Sequence, residues 1–201
     1  FEEHINAIHP DIVHFHEISG SNGITVHHIE TARKAGFITI LTCHLAGYTC
    51  KTGTMMKFGN RICNGKINLK DCSICALKKI TNGYPINWIV QSSLLLHKLG
   101  VDPLKYNSRL TTAFGVVSQI DKLNWNFQNM LTHLDRVVVI SDWYEHVLQL
   151  NGLSDGKIKK IKQGLPYAIK SKSYLNDSVE KGSKVKLIYI GRIAQIGRAH
   201  V

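Results

Sequence analysis

The feature that most limits how this chain can fold is a series of short, unbroken apolar runs set between helix-length segments. Residues 12–16 (IVHFH), 37–42 (FITILT), 136–140 (RVVVI) and 186–190 (KLIYI) have strand length and are rich in β-branched side chains. Runs this apolar suit strands covered on both faces, and alternation with helices predicts a parallel α/β sheet. Residues 157–162 predict a further edge strand. Helices are expected ahead of His9-Pro10, from Ser21 or Asn22 to about Ala35, over 88–99, over 111–134 with a break near Gly115 or Asn124, and from Ser141-Asp142 to Gly152. Val26, Ile29 and Ala32 should form the inner face of the second, and Trp143, Val147 and Leu150 that of the last. Asp142 and Glu145 suit the positive end of the last helix.

Residues 45–85 interrupt this pattern. They carry Gly, Asn, Lys and Cys without clean periodicity and read as a long inserted excursion, which needs a functional or metal-based reason to be ordered. Four of the five cysteines lie there, as Cys50-x12-Cys63-x8-Cys72-x2-Cys75. The last pair has metal-knuckle spacing, and four thiolates can close a tetrahedral zinc site. Disulfide pairs and free thiols are the other two readings, although an odd cysteine count argues against a purely disulfide-built domain. Cys43, at a strand end, is expected to be a small buried hydrophobe.

Hydrophobic residues make up 44% of the 201, which is enough for a sizeable core and argues against disorder. No apolar run approaches the roughly 18 residues of a spanning helix. Lys and Arg number 25 against 14 Asp and Glu, a net charge of +11 that favours phosphorylated substrates, anionic lipid headgroups or nucleic acid. The basic residues are scattered rather than gathered into a tract with interleaved aromatics, which counts against nucleic acid.

Ligands of parallel α/β sheets sit at the carboxyl ends of strands. Four candidates fall there: His16-Glu17, His44, Ser141-Asp142 and Gly191-Arg192. Ser141 is also a natural helix cap, and an Arg beside a Gly offers a fork to a diphosphate. Ser21-Asn22-Gly23 follows the first strand, where free N–H groups at a helix start can hold a phosphate or a sugar hydroxyl. No GxGxxG is present, so dinucleotide binding is a poor reading. His14, His16, His27, His28 and His44 come without an HExxH helix, which argues against a hydrolytic metal centre.

Taken in order, PDIVHFHEISG, FITILTCH, the segment from Cys50 to Cys75, RVVVISDWYEHVLQLNG, IKKIKQGLP and KLIYIGR resemble bacterial glycosyltransferase family 4 proteins, over nearly all of residues 8–194. The likeness is nearest to a subgroup with a Cys-rich insertion after the second of these strands. It implies a GT-B fold: two Rossmann-like domains, the first binding an acceptor and the second a nucleoside-diphosphate sugar (UDP or GDP), with retention at the anomeric carbon and no catalytic metal. It makes residues 1–170 the acceptor-side domain, 171–184 a linker and 185–194 the first strand of the donor domain. His44 then matches the His of the TxH strand end that faces the donor sugar, and His16 the last His of the HxH strand end. Ser141 matches the residue after the strand before the crossover helix, and Gly191-Arg192 the start of a GRxxxxKG phosphate element.

The Lys-Gly of that element and the downstream E-x7-E are missing, and Leu45 stands where a polar residue often follows the His. Residues 195–201 (QIGRAHV), back-translated, resemble a sequencing adapter, and the chain opens on Phe1. The expectation is a fragment that is inactive alone, from a hexosyltransferase acting on a polysaccharide, glycolipid, lipid-linked or phosphorylated acceptor. Its expected place is the cytoplasm or the inner face of an anionic membrane, with no nucleic-acid partner. The competing readings are a zinc-stabilised basic nucleic-acid-binding module, a GT-B sugar-nucleotide epimerase and a glycogen-type synthase.

Overall fold

The computed structural model describes residues 1–18, 23–44, 46–78, 85–106 and 108–162. The expected linker, donor-domain strand and tail, together with Ser21, Asn22, Gly191 and Arg192, lie outside these residues. Four strands form one parallel sheet in the order β1 (Ile12–His16), β2 (Ile38–Cys43), β5 (Arg136–Val139) and β6 (Ile158–Lys160). The architecture is α/β and compatible with a Rossmann-like domain.

The strand order follows the chain without reversal. Right-handed crossovers between successive parallel strands then put their helices on one face. The core agrees: Phe15, Leu41, Cys43, Val137 and Val139 share a buried cluster with Ile29 and Ala32 of α2 (Val26–Lys34), Phe127, Met130 and Leu131 of α6 (Val116–Thr132), and Val147 and Leu148 of α7 (Asp142–Leu150). Side chains alternate across a strand, so His14, His16, Ile40 and Thr42 belong to the opposite face. At the strand starts, Ile12 is 49% and Ile38 48% exposed. The unbroken apolar runs led us to expect cover on both faces; the described residues give full cover to one.

The register of β2 against β5 spans a long sequence separation and is set by Asp135. Its Oδ2 accepts from the Thr39 backbone N–H at 2.9 Å and from the Arg33 guanidinium at 2.9 Å, and the Thr39 hydroxyl donates to the His133 carbonyl at 2.6 Å. Thr39 is fully buried. A polar side chain there is tolerated because each of its groups has a partner.

Several boundaries differ from the sequence reading. The second helix starts at Val26, after Thr25 in extended backbone, whose N–H donates to His28 Nδ1 at 3.1 Å. His28 thus fills the return half of a capping box. Gly23 lies in a bend ahead of it rather than in the first turn. In α7 the inner face is Tyr144, Val147 and Leu148, while Trp143 is 44% exposed. Ser141 caps this helix, which places Trp143 in its first turn on the solvent side. The break at Gly115 is real: it separates α5 (Arg109–Phe114) from α6, and a Cβ there would lie 2.5 Å from Leu104.

The excursion is more structured than its composition suggests. It holds a 3-10 turn (Ala46–Tyr48), a small hairpin of β3 (Met56–Lys57) and β4 (Arg61–Ile62), and α3 (Leu69–Lys78). Nor is it without a core. Ala76 and Leu77 pack with Val90 of α4 (Ile86–Lys98) and with Val116 and Val117.

Asn151 fastens the excursion to the sheet domain. Its side-chain amide donates to the Gly65 and Val147 carbonyls and accepts from the Ile67 N–H, all at 2.8 Å. Gly65 has φ 82°, and a Cβ on it would lie 2.6 Å from Val147. Asn151→Ala leaves the Ile67 N–H and Gly65 carbonyl unpaired under cover and is expected to cost about 1–3 kcal/mol. The check is a urea titration, in which the midpoint should fall with the slope unchanged.

Candidate functional site

The parallel register brings the ends of β1, β2 and β5 to one edge. His16 pairs with Thr42, and Cys43 with Val139, so His16, His44 and Ser141 all emerge there. On the face opposite the core, three imidazoles form a row. The His14 and His16 rings have centroids 4.3 Å apart, and the His16 and His44 rings stack at 6.1 Å. His14 Nε2 lies 2.8 Å from the Thr42 hydroxyl, which fixes the inner end of the row. All three histidines are exposed. A row of this kind can donate to or accept from several hydroxyls of a polyol, or carry positive charge toward an anion.

Glu17 sits beneath this row and has a different role from the two histidines. Its φ is 70°, a left-handed conformation that a non-glycine residue adopts only when its surroundings impose it. The backbone N–H still reaches the Thr42 carbonyl at 3.2 Å, so the turn continues the β1–β2 ladder. The carboxylate accepts from the His44 N–H at 2.8 Å and is hydrogen-bonded to the Tyr48 hydroxyl. The Tyr48 hydroxyl in turn accepts from the Ile18 N–H at 2.9 Å. Glu17, expected from the sequence as a substrate contact, thus also holds the backbone of His44 in place.

Tyr48 and Tyr144 were not singled out from the sequence. Both lie under the strand ends, and burial, reinforced by Glu17, pushes both phenols well above their usual range. They stay neutral and serve as hydrogen-bonding pillars. No local motif marks them, since Tyr48 lies in the aperiodic excursion and Tyr144 on an ordinary helix face. Cys43 is fully buried and its thiol is pushed far up by burial, as its place in the core demands.

Ser141 and Asp142 are less closely tied to the imidazoles. The Ser141 hydroxyl accepts from the Tyr144 N–H at 3.3 Å, the ordinary N-cap bond. Asp142 pairs with Lys160, which also meets Glu145 at 2.8 Å, and the Lys160 hydrogen bond holds the Asp142 carboxyl below its usual range. This ion-pair group ties the start of α7 to β6 at the far edge of the sheet.

Cys50, Cys63, Cys72 and Cys75 are not joined in disulfides and line one cavity of about 220 Å³. Among the described residues no group of three or more His, Cys, Asp or Glu side chains stands in an arrangement that could hold a metal ion. No helix among them is long and apolar enough to cross a membrane.

The His14 pKa is lowered from its ordinary 6.5, first by partial loss of water around an otherwise exposed ring and second by the neighbouring His16. A depressed folded-state pKa means the unfolded chain binds the proton more readily. The stability tied to neutral His14 is therefore complete above about pH 6.5 and lost as pH falls through the folded-state value. Denaturant titrations across that window should show stability dropping on acidification, with a shallower drop for His14→Gln.

Comparison of the chain with protein-family models, with curated proteins and with solved structures gives no match.

Proposed function

We propose that this chain is the acceptor-side part of a retaining glycosyltransferase of GT-B architecture, with the imidazole row at the carboxyl edge of β1 and β2 as its sugar-handling surface. The observation that carries the reading is the convergence of His16 and His44 on one exposed edge, with the His44 backbone held by Glu17. The ordered series of motifs supports it, and so does a parallel α/β sheet whose strand ends face solvent.

In this reading a hexose moves from a UDP- or GDP-sugar to an acceptor hydroxyl. The bond from the anomeric carbon to the diphosphate breaks, and a bond to the acceptor oxygen forms on the same face. The acceptor proton leaves with the diphosphate. His44 orients donor sugar and acceptor rather than removing the proton, so its contribution is one of alignment. Glu17 is the positioning residue behind it. Gly191 and Arg192, outside the described residues, would meet the diphosphate as its charge develops. The +11 charge favours a phosphorylated or lipid-linked acceptor at an anionic inner membrane face.

The test is release of nucleoside diphosphate by the intact gene product, given a panel of UDP- and GDP-hexoses with lipid-phosphate and oligosaccharide acceptors. His44→Ala should lower turnover about 100-fold, the scale expected when alignment is lost. Unchanged turnover in His44→Ala would remove this residue from the site, and no turnover with any donor would remove the proposed activity.

A further inference from the structure

The cysteine cavity in the excursion is separate from the imidazole row and takes no part in the proposed transfer. Its walls come from three pieces of chain. Cys50 lies in the loop before the hairpin, Cys63 directly follows β4, and Cys72 and Cys75 stand three residues apart on α3. That spacing puts the last two on one face of the helix. A loop cysteine, a hairpin cysteine and a helical pair thus converge on one space.

Each sulfur is met by backbone N–H groups. Those of Met55, Thr52 and Gly53 face Cys50, whose sulfur also lies 3.3 Å from the Thr52 hydroxyl. The Gly65 N–H points to Cys63, the Asn68 N–H to Cys72 and the Phe58 N–H to Cys75, each at 3.4 Å. A neutral thiol is a weak acceptor and has little need of such donors. A thiolate is strongly stabilised by them, and donors of this kind around metal-bound sulfur orient the ligands and tune the site. The turns that supply them are costly: Met55 and Phe58 have φ of 53° and 56°, left-handed values for non-glycine residues.

The charge around the cavity has the matching sign. Between residues 50 and 78 the chain carries Lys51, Lys57, Arg61, Lys66, Lys70 and Lys78 against the single acid Asp71. Four thiolates around a divalent cation leave a net charge of −2, which a basic shell stabilises. Two disulfides would be neutral and would use neither the cations nor the N–H groups.

We propose that Cys50, Cys63, Cys72 and Cys75 form a structural tetrathiolate site for one zinc ion, which organises the loop, the hairpin and the start of α3. As they stand the four sulfurs form no group that could hold an ion, so binding has to draw them inward from the cavity wall to about 2.3 Å from it. Metal and local fold are then linked, as expected where ligands come from separate segments. The excursion, short of apolar residues over 50–68, gains through the ion the cohesion that the Leu77–Val90 cluster gives its helical half.

The experiment is elemental analysis of the purified 201-residue chain, followed by replacement of the metal with Co(II). The expected result is one zinc per chain, and a Co(II) form with thiolate charge-transfer absorption and the intense visible bands of tetrahedral coordination. Cys72→Ser should retain at least about tenfold less zinc, whereas Cys43→Ala, altered in the sheet core, should keep it. If Cys72→Ser does not fold, the Co(II) spectrum of the unaltered chain decides. Absence of bound metal, an octahedral Co(II) spectrum, oxidised cysteines on thiol titration, or full zinc retention in soluble Cys72→Ser would each overturn the proposal. None of these readouts depends on sugar transfer, so this proposal and the glycosyltransferase reading can fail independently.

Discussion

The bonds between Asp135 and Thr39 are the constraint on which the rest of the arrangement depends. They join β5 to β2 after the chain has left the sheet for the whole excursion and α4 to α6. Parallel pairing across so long a connection gains nothing from a tight turn, and a slip of one residue would turn every β5 side chain to the wrong face. Asp135, immediately before β5, accepts from the backbone N–H of Thr39, while the Asp135 N–H returns to the Thr39 carbonyl at 3.0 Å. With the register pinned there, Val137 and Val139 enter the core, and Ser141 emerges beside the end of β2.

A second fastening governs the excursion. Its helical half has a hydrophobic cluster of its own, and its loop half is held to α7 by Asn151 and by the fit of Gly65 against Val147. Lys57 adds an exposed ion pair to Asp71 at 2.8 Å, and Lys78 lies over the Phe58 ring at 4.6 Å. Exposed pairs of this kind contribute little. The cohesion of residues 50–68 has to come from elsewhere, and the cysteine cavity is the feature placed to supply it.

The two faces of the sheet divide the labour. On one, α2, α6 and α7 close a dry core, which burial of Cys43, Tyr48 and Tyr144 extends under the strand ends. On the other, the imidazoles of His14, His16 and His44 are presented at the carboxyl edge. Glu17 connects the two: its backbone belongs to the edge turn, while its carboxylate reaches Tyr48 below and the His44 N–H beside it. A left-handed glutamate at that point is the local cost of holding the row in place.

Much of this was legible in the sequence for a simple reason. Strand-length apolar runs and helical spacing are local properties, so β1, β2, β5, β6, α4, α6 and the Gly115 break follow from the residues themselves. The same locality placed His16, His44 and Ser141 at strand ends. What the sequence left open is of two kinds, local helix caps and partners distant in the chain. Thr25 rather than Ser21 or Asn22 precedes α2 because His28 returns the cap, and α7 buries Tyr144 instead of Trp143 because of where its N-cap falls. The order α3 brings to the excursion comes from packing on α4 and α6, which periodicity within residues 45–85 cannot reveal. The bond from the His44 N–H to Glu17 has no mark in the sequence, since only the meeting of β1 with β2 puts that N–H within its reach. The sequence by itself determined which segments are strands and helices and which residues stand at their ends. Tertiary structure alone decided which of those ends meet, because pairing register and burial are set by contacts between segments that carry no mark of one another.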